Sequence, residues 1–174
     1  MPDLDLVILA RLLHVVAGTF WSGSAILLAG FLLPAVRDAG TAGAPVMRQL
    51  TAVRKLPQIL LATAAVAIAS GAYLYWVVSG ALQASWLYSW SGLVYTLGAL
   101  AALMAFIVGI AINIPSANRM GALMAEVHAG GAPPTTEQSK TLSRLALRLA
   151  HGNRAVAVLL VAATAAMAVA RYVP

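Results

Sequence analysis

The stretch "RLLHVVAGTFWSGSAILLAGFLLPAVR", residues 11–37, carries no charged residue between its two terminal arginines. That run is longer than the roughly 20 residues needed to cross a hydrocarbon core. A soluble core helix is the competing assignment, and composition decides between them. Of the 174 residues, 61% are hydrophobic and 9% charged, more apolar surface than a soluble domain of this size hides in one core. Four apolar stretches stand out, at about 6–33, 57–79, 87–112 and 150–171. They account for most of the chain, so residues 1–174 are expected to form a single integral membrane domain. The expected fold is all-α, a four-helix up-down-up-down transmembrane bundle. The first stretch has no basic residue ahead of it and no small-residue cleavage site, so it is expected to be a retained helix rather than a signal peptide.

Charge sets the expected orientation. Arg37, Arg48, Arg54 and Lys55 lie between the first two spans, and Arg119, Lys140, Arg144 and Arg148 lie between the last two, with Arg154 just inside the fourth. The link "SGALQASW" between spans two and three has none. The positive-inside rule then expects both long connections in the cytoplasm and both termini outside, in a bacterial inner membrane. The net charge of +6 therefore reports topology, and nucleic acid is not an expected partner. All five acidic residues, Asp3, Asp5, Asp38, Glu126 and Glu137, fall outside the spans, which argues against a carboxylate proton relay or a hard-cation site within the membrane. The absence of cysteine removes disulfides and thiolate metal sites. No nucleophile motif, phosphate loop or zinc signature is present.

Local signals mark the helix ends. Pro57 opens the second span, where a missing amide donor is harmless, and Pro115 is expected to end the third after Asn113. "SANRMGALMAEVHAGG" then reads as a separate short helix, with Ser116 near its start and Gly130 past its end. Thr135 and Gln138 have capping-box spacing, which predicts one helix from about residue 136 into the membrane. Residues 46–56 read as an interfacial helix presenting Met47, Leu50 and Val53. "FWSGS" at 20–24 and "SWSGL" at 89–93 echo one another, the pattern a duplicated hairpin would leave.

Helical periodicity puts Arg11, His14, Gly18, Trp21, Ser22 and Ala25 on one face, expected to point into the bundle. Gly98, Ala102, Ala105 and Gly109 form a small-residue ridge for close helix packing, and Ala155, Ala162 and Ala166 suggest a similar side on the fourth helix. Tyr73, Tyr75, Trp76, Trp86, Tyr88, Trp90, Tyr95, Met167 and Tyr172 belong to the outer half. Some of these form an interfacial belt, whereas Tyr73 and Tyr95 sit deeper and are expected to line a cofactor pocket.

His14, roughly 12 Å below the outer surface, is the principal candidate for chemistry. Neutral imidazole ligates haem and metals, an arginine one turn outward suits a haem propionate, and Gly18 or the flat Trp21 suits the macrocycle. Met167, at similar depth, is the candidate second axial ligand. The competing structural assignment is a histidine bonded across the bundle to a tyrosine or serine, with Arg11 reaching the headgroups. His151 sits among Arg144, Arg148 and Arg154, first of all a positive-inside anchor, with a second haem or an anionic lipid headgroup as alternatives. His128 is expected to be solvated.

"LHVVAGTFWSG" resembles the first helix of the CopD-type family and of related small bacterial four-helix membrane proteins. That resemblance, specific over residues 11–37, implies His14 as a haem b or metal ligand, with Trp21 and Gly23 shaping the site. "NIPSANRM" at 113–120 and "LRLAHGNRAVAVLL" at 147–160 resemble segments of the anthrone-oxygenase-like membrane family, which would emphasise Asn113, Pro115, Asn118, Arg119 and His151. Three functions are therefore open: a b-type haem protein passing electrons within the membrane, a non-redox accessory or assembly subunit, and a small oxygenase acting on an aromatic substrate near His151. Expected partners are the bilayer, a membrane redox partner or other membrane subunits, and a second copy of the chain.

Overall fold

Inside lipid every backbone N–H and C=O must be satisfied within the protein, so uncharged apolar runs of this length become helices. The computed structural model describes residues 3–173 and contains four long helices: α1 Leu4–Asp38, α2 Leu56–Val78, α3 Trp90–Ala129 and α4 Thr136–Tyr172. Each is long and apolar enough to cross a membrane, and together they make an all-α four-helix bundle, the architecture of a multi-pass membrane protein. The α1/α2 and α3/α4 hairpins pack most extensively, α4 also lies against α1, and the α2/α3 seam is the thinnest. Large apolar side chains such as Phe31, Leu97 and Val158 point outward, as a lipid-facing surface requires. We call the end holding the α1–α2 and α3–α4 connections the basic end, and the other the aromatic end.

The helix starts follow their caps. The Asp3 carboxylate accepts from the Asp5 amide, and Pro57 stands in the first turn of α2. At α4 the Thr135 hydroxyl accepts from the Gln138 N–H at 3.2 Å while the Gln138 side chain accepts from the Thr135 N–H at 2.9 Å. This is the capping box expected at this position.

Pro115 does not end the third helix. α3 continues through it to Ala129, so "SANRMGALMAEVHA" is the basic-end half of α3 and not a separate element. The reason lies one turn earlier, where Gly109–Asn113 widens into a π turn. A proline lacks an N–H and its ring crowds the carbonyl four residues back. One wider turn relieves both, and the helix goes on. α1 uses the same device, a π turn at Leu28–Leu32 just ahead of Pro34.

The connections are compact. In the first, a short helix Gly43–Arg48 runs into a π turn Gln49–Val53, with Met47 and Leu50 half-buried and Val53 exposed. In the α2–α3 link Gly80, Ala81 and Leu82 all have left-handed backbones, with φ of 59°, 63° and 67°. Ser79, 1% exposed, closes this turn by accepting from the Leu82 N–H at 3.0 Å and donating to the Trp76 carbonyl at 3.2 Å.

At mid-bundle, Ala17, Trp21 and Ala25 of α1 pack with Ala64 and Ala67 of α2, Ala105 of α3, and Val156 and Leu160 of α4. The α3 ridge packs closely over part of its length, Gly98 lying against Ala163, Ala166 and Met167 and Ala105 being fully buried, whereas Gly109 faces open space. The side assigned to α4 is corrected: Ala155 and Ala162 are exposed, and the buried stripe is Leu145, Gly152, Val156, Leu160 and Ala163. An alanine-rich helix offers almost no rotational signal, because each of its faces is small and apolar. The "WSG" echo is also not a structural repeat: Trp21 is buried deep in α1, whereas Trp90 is the first residue of α3 and 68% exposed.

Candidate functional site

α1 and α2 approach through small residues, Ala10 and Ala17 on one side and Ala64, Ala67, Ser70 and Gly71 on the other. His14 lies one turn from both Ala10 and Ala17 and is half-buried in this seam. Its Nδ1 is 2.8 Å from the Ala67 carbonyl oxygen of α2. A carbonyl only accepts, so Nδ1 carries the proton, and in the neutral ring the lone pair is on Nε2. Ser70 donates to the Val66 carbonyl at 2.6 Å and also leans on the Ala67 oxygen at 3.3 Å. Gly71 supplies the space: a Cβ there would come within 2.7 Å of the imidazole Cε1 and 2.9 Å of Nδ1. Sequence reasoning missed Gly71. The only available signal was the small Ser70–Gly71 pair one turn beyond Ala67.

The other expected residues are more scattered. Arg11 is exposed, not part of the buried stripe, which runs through Ala10, Ala17, Trp21 and Ala25; Gly18 and Ser22 are half-buried. The interior position one turn before His14 goes to Ala10, and Arg11, about 100° further round the helix, leaves the interior. Trp21 is buried and meets Phe106 of α3 edge-on, ring centroids 6.4 Å apart. Met167 packs on Gly98 of α3, so it and His14 lie on different seams. Tyr73 is half-buried. Tyr95 stacks on Trp86 at 6.0 Å, Trp86 meets Tyr75 edge-on at 5.4 Å, and the Tyr75 hydroxyl bonds Thr96 Oγ1 at 2.6 Å. These aromatics tie α2 to α3 at the aromatic end. Among the described residues no three His, Asp or Glu side chains gather as a metal site would need.

The basic end has its own polar locus. Asn113, last residue of the α3 π turn, donates from Nδ2 to Asn153 Oδ1 of α4 at 3.2 Å. Its own Oδ1 is buried without a hydrogen-bond partner, because it is seated against Gly152, where a Cβ would collide with it. Gly152 thus admits the asparagine between two helices. Ser116 is buried, whereas Asn118, Arg119 and His128 are exposed. His151 is exposed too, its Nδ1 held 2.9 Å from the Leu147 carbonyl of its own helix. Arg119 lines a shallow cleft of about 400 Å³ with Glu126, Glu137 and Gln138. No protein-family model matches the chain, and neither does any curated protein or solved structure.

Proposed function

We propose that the protein is a membrane b-type haem protein that moves electrons within the bilayer, with His14 as the side chain that would hold the haem iron. The observation that carries this reading is the Nδ1–H to Ala67 carbonyl bond, which holds the imidazole in one tautomer with Nε2 free to ligate. Haem-ligating and metal-ligating histidines are typically oriented by such a bond, which also raises ligand basicity. Gly71 gives the ring a flat seat, and Arg11, a turn nearer the aromatic end, would offer charge-assisted bonds to a propionate. The group, when bound, supplies a one-electron couple; the chain fixes its ligand and keeps bulk water away with Trp21 and the surrounding alanines. The helix 1 resemblance to CopD-type proteins supports the same assignment.

Purification in mild detergent followed by absorption spectra before and after dithionite tests it. A Soret band with sharp reduced α and β bands, near one haem per chain, is expected. A preparation that stays colourless after haem is added overturns the reading. A second reading, an accessory subunit in which His14 only clamps α1 to α2, is favoured by the closed small-residue packing around Trp21. It predicts that colourless outcome.

The charge pattern further supports a cytoplasmic basic end. Because the chain lacks cysteine, single-cysteine labelling reads this cleanly. In spheroplasts a membrane-impermeant maleimide should label Ser85→Cys, in the α2–α3 link, and label Ser139→Cys only after lysis. The reverse pattern would invert the topology.

A further inference from the structure

A second feature, independent of the haem reading, lies on the lipid-facing seam between α3 and α4. There Val108 and Ile112 of α3, with Gly152 and Ala155 of α4, line an apolar groove whose rim at the basic end is Arg148 and His151; the groove encloses about 360 Å³. The residues are ordered for a lipid. Arg148, His151 and Ala155 follow one another along one face of α4, with Ala155 deepest, and residues 155–170 carry no charge. Val108 precedes Ile112 on α3, which runs the opposite way, so both walls become apolar in the same direction, into the bilayer.

We infer that this groove binds an anionic phospholipid, one acyl chain lying along Val108, Ile112 and Ala155 and the phosphate held by Arg148, with His151 beside it at the rim. Charge complementarity selects the occupant. Arg144 and Arg154 flank the rim and are exposed like Arg148. The ion pairs among the described residues are Arg37–Asp38 and Lys140–Glu137, so these arginines present their charge outward with no carboxylate beside them. Guanidinium recognises phosphate by paired, charge-assisted bonds. The His151 Nδ1–H is taken by the Leu147 carbonyl, so the neutral ring has no N–H for the phosphate and Arg148 makes the contact. A positive-inside anchor needs the charges alone; the apolar groove running inward from them is what an acyl chain adds.

Native mass spectrometry from detergent, with phosphatidylglycerol and phosphatidylcholine of identical chains, tests the site. One phosphatidylglycerol should be retained per chain in preference to phosphatidylcholine. Arg148→Gln should weaken retention about fivefold, the usual strength of one basic residue against an anionic headgroup. Ala155→Phe, which fills the groove and keeps every charge, should weaken it as well. Arg54→Gln, at the same end but off the seam, is the control, and circular dichroism checks that each variant keeps its helices. Equal retention of both lipids overturns the site. So does equal loss in Arg54→Gln and Arg148→Gln, the behaviour of a diffuse anchor, or equally tight binding of water-soluble glycerol 3-phosphate, which needs no groove.

Discussion

His14→Ala is expected to abolish the Soret band while leaving a folded helical bundle, since the side chain contributes one hydrogen bond across a seam otherwise made of small residues. The loss of that bond costs stability of about 1 kcal/mol, too little to unfold a bundle of this size. Bleaching with helices intact is thus the signature of a ligand. The more discriminating variant keeps the histidine. Gly71→Ala puts a methyl group within 2.7 Å of the imidazole Cε1, and the ring must leave the Ala67 carbonyl to make room. Losing the bond that orients a ligating histidine typically lowers affinity about 10–100-fold. Gly71→Ala should therefore bind haem weakly, with excess haem restoring the spectrum, whereas His14→Ala should not recover. If His14 is only a clamp, both variants lower the unfolding midpoint by similar amounts and neither changes a spectrum. Measuring absorbance and unfolding on the same samples separates the two.

The second large effect concerns Trp21, 8% exposed and edge-on to Phe106 at mid-bundle. Trp21→Ala should lower stability by about 3 kcal/mol. In a membrane the transfer part of that cost is reduced, because lipid tails are as apolar as the interior. What remains is the unfilled cavity and the lost dispersion contacts of an indole among alanines too small to close the gap. Trp90→Ala is the internal comparison: the same residue in the same "WSG" context, but 68% exposed at the start of α3. A cost within about 0.5 kcal/mol is expected there. Reversible unfolding in mixed detergent micelles reads both, and equal costs would contradict the burial of Trp21.

Much of the architecture was legible from local chemistry. The four spans follow from long apolar runs poor in charge, and the α4 start follows from Thr135 and Gln138, whose reciprocal bonds depend only on residues three apart. The α3 ridge was legible because Gly98 and Ala105 lie between larger residues, so smallness itself carries direction. The site was legible only as a residue. His14 stands out in an apolar run, but its partner is a backbone carbonyl 53 positions away, and any residue type has one of those. Gly71 was equally silent, one small residue among many.

What the sequence by itself determined is the number of spans, the start of each and their all-α bundle fold, because a bilayer demands that backbone polarity be satisfied within each segment. Tertiary structure alone decided how each helix is rotated: that Arg11 leaves the interior, that α4 buries Val156 and Leu160 and not Ala155 and Ala162, and that Trp86 gathers Tyr75 and Tyr95. It also decided that α1 and α3 pass Pro34 and Pro115 through π turns. The physical reason is common to all of these. In lipid both the inner and the outer face of a helix are apolar, so hydrophobicity fixes where a helix crosses, while the choice of inward face is left to packing against its neighbours.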